Sequence, residues 1–183
     1  FSGLFRPKYG VPGFDVAGII EAVGSSVKTC APGDEVFGSA LGTCAEFVRA
    51  KPNTLVPKPS QLTFVQAAAI PTSGLAALHG LRDSGKLQRG QRVLVNGAAG
   101  GVGMFAVQIA KSFGAHVTGV CSTRNIDMVR ALGADQVVDY TQQDFTQGST
   151  RYDLILDNIE NRSLSDCRRA LTESGTLVLN SGT

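Results

Sequence analysis

The chain has 183 residues, 43% of them hydrophobic and 17% charged, which suits one ordinary domain or two small ones and excludes a disordered polymer. Its net charge of +2, with no dense basic run, gives no electrostatic reason to expect a nucleic-acid or membrane partner. No apolar run is long enough to span a bilayer and no signal peptide is visible, while Cys30, Cys44, Cys121 and Cys167 are scattered without a C-x-x-C pair. That cysteine usage reads as reduced and cytoplasmic. His79 and His116 stand far apart and read as helix-surface or strand-end residues, so no metal site is expected. The chain begins at Phe1 without Met and stops at Ser181-Gly182-Thr183 just after a strand, and reads as cut at both ends.

Residues 1–58 are short apolar runs broken by turn residues. Residues 16–24 read as one strand, residues 35–38 as a second after the turn Ala31-Pro32-Gly33-Asp34, and residues 43–50 as a third. This part is β-rich and barrel-like, with fewer strands than the roughly five to eight of a closed barrel. Three prolines and no helical period mark residues 51–60 as a connector. Thr63-x-x-Gln66 is a capping box opening a helix that Pro71 stops, and Thr72 or Ser73 caps a second helix from Gly74 to about Asp83.

Strand and helix then alternate. Strand 93–96 runs into Gly97-Ala98-Ala99-Gly100-Gly101-Val102-Gly103 and a helix that closes at Gly114. Strands at 116–122, 135–140, 153–157 and 175–180 follow, with helices at 126–132 and about 162–171 and a polar stretch to Thr150. Strands this apolar, separated by helices, form a parallel sheet buried on both faces, and right-handed crossovers give five strands the order 3-2-1-4-5. The fold class is therefore α/β, a doubly wound parallel Rossmann sheet over residues 61–183, preceded by a partial β-rich domain and connector over residues 1–60. A sixth strand is expected beyond the chain.

The glycine-rich turn carries the chemistry. A helix N-terminus presents unpaired N–H groups and a partial positive charge, and small residues let a phosphate approach the backbone. A strand, such a turn and an immediate helix make the dinucleotide fingerprint, here with Ala98 in place of its first glycine. The tip of the next strand, Cys121-Ser122-Thr123-Arg124-Asn125, has no carboxylate to bind the two ribose hydroxyls of NAD, and Asp127 lies too far into the following helix. Arg124 instead offers a cationic donor to a 2′-phosphate, with the Ser122 and Thr123 hydroxyls beside it, so NADPH is the expected cofactor.

Pro12-Gly13-Phe14-Asp15-Val16-Ala17-Gly18, Gly24-Ser25-Ser26-Val27, Pro32-Gly33-Asp34-Glu35-Val36-Phe37-Gly38, Ala45-Glu46-Phe47-Val48, the small-residue helices over residues 67–78 and the loop over residues 96–103 occur in a family order. In that order they resemble the medium-chain dehydrogenases/reductases, and most closely the zinc-independent quinone oxidoreductase branch. The resemblance covers essentially the whole chain. It implies a GroES-like catalytic domain followed by an NADP-binding Rossmann domain, and a homodimer as the full-length protein. Zinc alcohol dehydrogenases carry Gly-His-Glu where this chain has Gly13-Phe14-Asp15, and their cysteine-rich zinc lobe has no counterpart here, so metal catalysis is not expected.

By the same resemblance, Ala99, Gly100, Gly101, Val102 and Gly103 hold the pyrophosphate and Ser122 and Arg124 the 2′-phosphate. Tyr140 lies near the adenosine end, while Asn158, Asn180 and Ser181 lie where the nicotinamide half passes. A Thr that many relatives place near the nicotinamide is Ala76 here, with Thr72 or Ser73 as substitutes that read more simply as caps. No acid–base residue is assigned: Tyr9 reads as a packed ring and Asp15 as a hydrogen-bonding residue at the start of a strand. The implied activity is NADPH-dependent hydride transfer to a quinone or activated alkene, with a 2-enoyl thioester reductase and a non-catalytic NADPH-binding protein as the alternatives.

Overall fold

The structure is a computed structural model that describes residues 10–180. The chain divides into two compact units between Thr72 and Ser73. The first unit holds a three-stranded antiparallel sheet of β1 (Asp15–Ile19), β2 (Glu35–Ser39) and β3 (Leu55–Pro57), in that order. Ala17 faces Phe37 across the first ladder and Phe37 faces Val56 across the second. β1 is shorter than residues 16–24, because the ladder closes at the turn where Gly33 N donates to Ile20 O at 2.8 Å.

The third strand is not the one expected. Residues 43–50 form no ladder among the described residues, and β3 lies inside the proline-rich connector instead. The reason is a close approach at Gly38, where a Cβ would lie 2.0 Å from Thr54 O. With no side chain there, the Thr54 backbone closes onto β2, and Thr54 Oγ1 donates to Ser39 O at 2.7 Å. Both edges of β2 are then occupied, and Cys44 N donates to Pro12 O rather than to a strand.

The capping box at Thr63 forms as expected: Gln66 N donates to Thr63 Oγ1 at 3.2 Å and Thr63 N to Gln66 Oε1 at 2.9 Å, opening α1 (Phe64–Ala68). The next helix starts earlier than expected. Pro71 is the first residue of α2 (Pro71–Leu78), a position that needs no N–H, and a π-helical segment continues it over His79–Ser84. Thr72 is therefore inside the helix, not its cap. Its N–H and Oγ1 both donate to Asp15 Oδ1, at 3.1 and 2.6 Å, so Asp15 of β1 closes this helix start.

The second unit is a five-stranded parallel sheet: β4 (Arg92–Asn96), β5 (His116–Cys121), β6 (Gln136–Asp139), β7 (Tyr152–Asp157) and β8 (Leu171–Leu179). Its order is β6-β5-β4-β7-β8, the 3-2-1-4-5 arrangement expected from right-handed crossovers. α3 (Gly101–Ser112), α4 (Ile126–Ala131) and α5 (Leu164–Ala170) connect the strands. Val93, Val95, Val117, Leu154 and Leu156 pack with Ala106, Val107 and Ala110 of α3 on one face. Leu94, Val120 and Ile155 pack with Cys167 and Ala170 of α5 on the other. Burial on both faces explains why these strands lack polar alternation. β8 begins at Leu171 rather than Gly175, because the register shifts between Tyr152, paired with Leu171, and Leu154, paired with Thr176.

Replacing Asp15 by Ala strips the acceptor from two Thr72 donors and should cost about 1 kcal/mol, the usual value of a lost helix cap. Asp15→Asn keeps an acceptor and should retain most of it. Urea unfolding of the two variants checks the difference.

Candidate functional site: the carboxyl ends of the parallel strands

Three glycines of the turn after β4 do three different jobs. Gly97 leaves the strand at φ +78, the left-handed region that a side chain disfavours. Gly103 brings α3 against the strand: a Cβ on it would lie 2.1 Å from Gly97 O and 2.7 Å from Ala98 Cα. Gly100 precedes the first residue of α3, and a Cβ there would meet nothing nearer than Gly97 O at 3.4 Å, so its face is open. No side chain caps α3, which leaves the N–H groups of Gly101, Val102 and Gly103 to a ligand.

The alanine in place of the first fingerprint glycine is accommodated from across the sheet. Ala98 is fully buried, with its N–H donating to Val120 O at 2.9 Å, and its Cβ occupies space that Gly119 of β5 leaves empty. The tight turn is made one residue earlier, at Gly97. That cradle fits a pyrophosphate: open above Gly100 and lined by backbone donors at Gly101, Val102 and Gly103, with Ala99 between the turn and the helix.

At the tip of β5 the residues expected to bind the 2′-phosphate divide. Arg124 is exposed and has no hydrogen-bond or ion-pair partner among the described residues. Ser122 is half-buried, and its Oγ accepts from Asn125 Nδ2 at 3.2 Å. Thr123 is not a free donor: its hydroxyl gives its hydrogen to Asp139 Oδ2 at 2.6 Å. Asp139 comes from the end of β6 and was invisible to a search for carboxylates along β5. It also accepts from Thr141 N and Oγ1, at 3.0 and 2.8 Å, and from Gln142 Nε2 at 3.1 Å. The Thr123 hydrogen bond, foremost, holds this carboxyl below its ordinary range; the Thr141 and Gln142 donors add to that, while burial opposes it. Tyr140, next in sequence, is exposed, with its N–H on Cys121 O at 3.0 Å.

The ends of β4, β7 and β8 carry a chain of amides. Asn158 Nδ2 donates to Asn96 O at 2.9 Å, and Asn158 Oδ1 accepts from Asn180 Nδ2 at 2.9 Å. Asn180 N donates to Asp157 O at 2.9 Å, so the ends of β4, β7 and β8 are tied together. Beneath them Asn96 Nδ2 donates to Asp157 Oδ1 at 2.8 Å and to Asn161 Oδ1 at 3.2 Å. Asp157 is fully buried, and its Oδ1 also receives Ile159 N and Glu160 N, at 3.0 and 2.9 Å. Asn96 and Asp157 were missed from sequence, although each is the polar last residue of an apolar strand. Ser181 and Tyr9 lie outside the described residues. Cavities of about 300 and 500 Å³ in this unit sit elsewhere, around Gln136, Thr150 and Tyr152, towards the amino ends of the strands.

Family signatures cover most of the chain: the Alcohol dehydrogenase GroES-like domain over residues 2–80 and the Zinc-binding dehydrogenase family over residues 101–182. The chain belongs to the medium-chain dehydrogenase/reductase superfamily. It is 42% identical over 158 residues to the mitochondrial NAD(P)H oxidoreductase RTN4IP1 of Mus musculus, a match covering 80% of this chain and 40% of that protein. It is 34% identical to the 2-methylene-furan-3-one reductase of Solanum lycopersicum, over 100% of this chain and 49% of the relative. The solved quinone oxidoreductase of Coxiella burnetii superposes with a TM-score of 0.83 at 36% identity, over 91% of this chain and 54% of that one. The chain thus spans about half the length of the superfamily members it matches.

Phe14, in the Gly13-Phe14-Asp15 run, is exposed, and a phenyl ring coordinates no metal. Among the described residues no group of three or more His, Cys, Asp or Glu is placed to hold a metal ion, and no helix is long and apolar enough to cross a membrane.

Two outcomes follow from this geometry. Gly100→Ala should leave thermal stability nearly unchanged yet weaken dinucleotide binding, whereas Gly103→Ala should destabilise the fold by about 1–3 kcal/mol, as overpacking does; melting curves and fluorescence titration separate the two. Because the folded Asp139 carboxyl titrates below its ordinary value, the stability it adds is complete above about pH 4 and is lost as pH falls through the folded value. Asp139→Asn should therefore be most destabilising near neutrality and converge on the parent protein at acid pH, in unfolding measured as a function of pH.

Proposed function

We propose that this chain is the cofactor-holding part of an NADPH-dependent oxidoreductase of the zinc-independent, quinone oxidoreductase-like kind. It passes hydride to a quinone or to an alkene activated by a carbonyl. The single observation that carries the cofactor choice is Arg124: an exposed guanidinium without a partner among the described residues, at the strand tip that this reading gives to the adenosine ribose. A 2′-phosphate satisfies that cation with charge-assisted, bidentate hydrogen bonds, and a ribose hydroxyl does not. The Asp139 carboxylate, two strands from β4, is engaged by Thr123, Thr141 and Gln142 and does not pair with Arg124.

The substrate class is supported by chemistry and by kinship. Phe14 in place of a histidine leaves no Lewis acid to activate an ordinary alcohol, so the acceptor has to be electrophilic in itself. The names of the tomato and Coxiella relatives are those of enzymes acting on an activated alkene and on a quinone. Bound NADPH supplies the hydride. The chain's own residues bind and orient: backbone N–H groups of Gly101, Val102 and Gly103 hold the pyrophosphate, Arg124 with Ser122 the 2′-phosphate, and Tyr140 flanks the adenosine. The Asn158–Asn180 pair lines the nicotinamide half, Ser181 following it in the chain. A homodimer of the whole protein in the cytoplasm completes the reading.

Separate titrations with NADPH and NADH, followed by nicotinamide fluorescence, test it. NADPH should bind more tightly, and Arg124→Ala should weaken NADPH at least about tenfold, the size of a lost charge-assisted hydrogen bond, while leaving NADH within about twofold. Equal affinities in the parent protein overturn the NADPH assignment. Turnover of an enoyl thioester in place of quinones and enones would move the substrate to the thioester class.

A further inference from the structure

We infer that Ser73 is an additional cofactor-binding residue, its hydroxyl donating to the pyrophosphate at the start of α3. The inference rests on the dinucleotide reading above and adds a side chain from outside the glycine-rich turn.

In sequence, Ser73 looks like a helix cap. The structure removes that job: α2 starts at Pro71, and Asp15 takes both donors of Thr72. Ser73 is left half-buried in the first turn of α2, with no side-chain hydrogen bond among the described residues. A serine inside a helix commonly bonds back to its own backbone or faces solvent freely. This one instead faces the opening of α3. Its Oγ lies 3.1 Å from the point that a Cβ on Gly101 would occupy, and its Cβ 3.9 Å from that point.

Gly101 is informative for the same reason. Its φ is not among the positive values of the chain, so no backbone conformation demands glycine there. What a side chain at this position would meet is the Ser73 hydroxyl. Gly101 is also the first residue of α3, a twelve-residue helix without a side-chain cap. The Ser73 hydroxyl thus lies against the residue that opens α3, a helix whose first-turn N–H groups have no side-chain cap. The Ser73 hydroxyl has no side-chain partner among the described residues, and an anionic oxygen at this place would accept a charge-assisted bond from it. The group recognised is the diphosphate, common to NADPH, NADH and ADP-ribose, and not the 2′-phosphate assigned to Arg124.

The test is a set of binding titrations of the full chain with NADPH, NADH, ADP-ribose and adenosine 2′-monophosphate. Ser73→Ala should melt at the parent temperature and bind the three diphosphates about tenfold more weakly, the usual loss for one hydrogen bond to a charged group, with the monophosphate unaffected. Gly101→Ala should weaken the diphosphates in the parent background, where it displaces the hydroxyl, and add little in the Ser73→Ala background, where the nearest atom is at ordinary contact distance. Unchanged diphosphate affinity in a folded Ser73→Ala protein overturns the inference, as does a loss shared by the monophosphate or confined to NADPH. If the parent protein binds none of the diphosphates, the dinucleotide reading itself falls; if it binds them and Ser73→Ala binds equally well, only the role of Ser73 falls.

Discussion

The approach of α3 to β4 at Gly103 sets the geometry of everything at the carboxyl edge. A single methyl group there would run into the Gly97 carbonyl, so the helix can begin directly over the strand end only because the position is glycine. Ala106, Val107 and Ala110, all fully buried, continue the same small-residue contact along the helix. Packing at this distance aims the N–H groups of the first turn past the end of the sheet. A bulkier interface would move the helix start away from the cradle and weaken its hold on an anion.

The polar residues around this edge solve a common problem. Asn96, Asp139 and Asp157 end three apolar strands and are nearly or fully buried, where an unpaired polar group is costly. Asp139 is satisfied by hydroxyl, amide and backbone donors, and Asp157 Oδ1 by two backbone N–H groups and the Asn96 amide, while Asp157 Oδ2 is buried without a partner among the described residues. No cation is spent on either interaction. Arg124 consequently stays without a partner among the described residues.

Much of the parallel unit was legible in the sequence because its signals are local. Apolar strand runs, glycines at the ends of α3 and α4, and the right-handed crossover rule led to the observed strand order. The first unit was less legible. Residues 43–50 have a strand-like pattern but no ladder, while Leu55–Pro57 lie in a proline-rich stretch and form one. Strand propensity measures fit to a neighbouring surface, and that neighbour was supplied by the missing side chain of Gly38. At the site, the backbone cradle was readable and its partners were not. Thr123 meets Asp139 16 residues away and Thr72 meets Asp15 57 residues away, pairings that depend on strand register and on where a helix begins.

A site made this way separates what the family shares from what a member decides. Recognition of a pyrophosphate by N–H groups needs small residues and a helix start, and tolerates Ala98 so long as Gly119 makes room for it. The loop therefore announces a dinucleotide without choosing one. In the function proposed above, the choice falls to a few side chains at the strand tips, with Arg124 supplying positive charge at one end and the linked amides of Asn158 and Asn180 supplying neutral hydrogen bonds at the other. A charge acts strongly on a phosphate and little on a hydroxyl, whereas neutral amides offer hydrogen bonds without net charge. On that reading cofactor selectivity and hydride geometry rest on separate residues at opposite ends of one sheet edge, and each can change without disturbing the cradle between them.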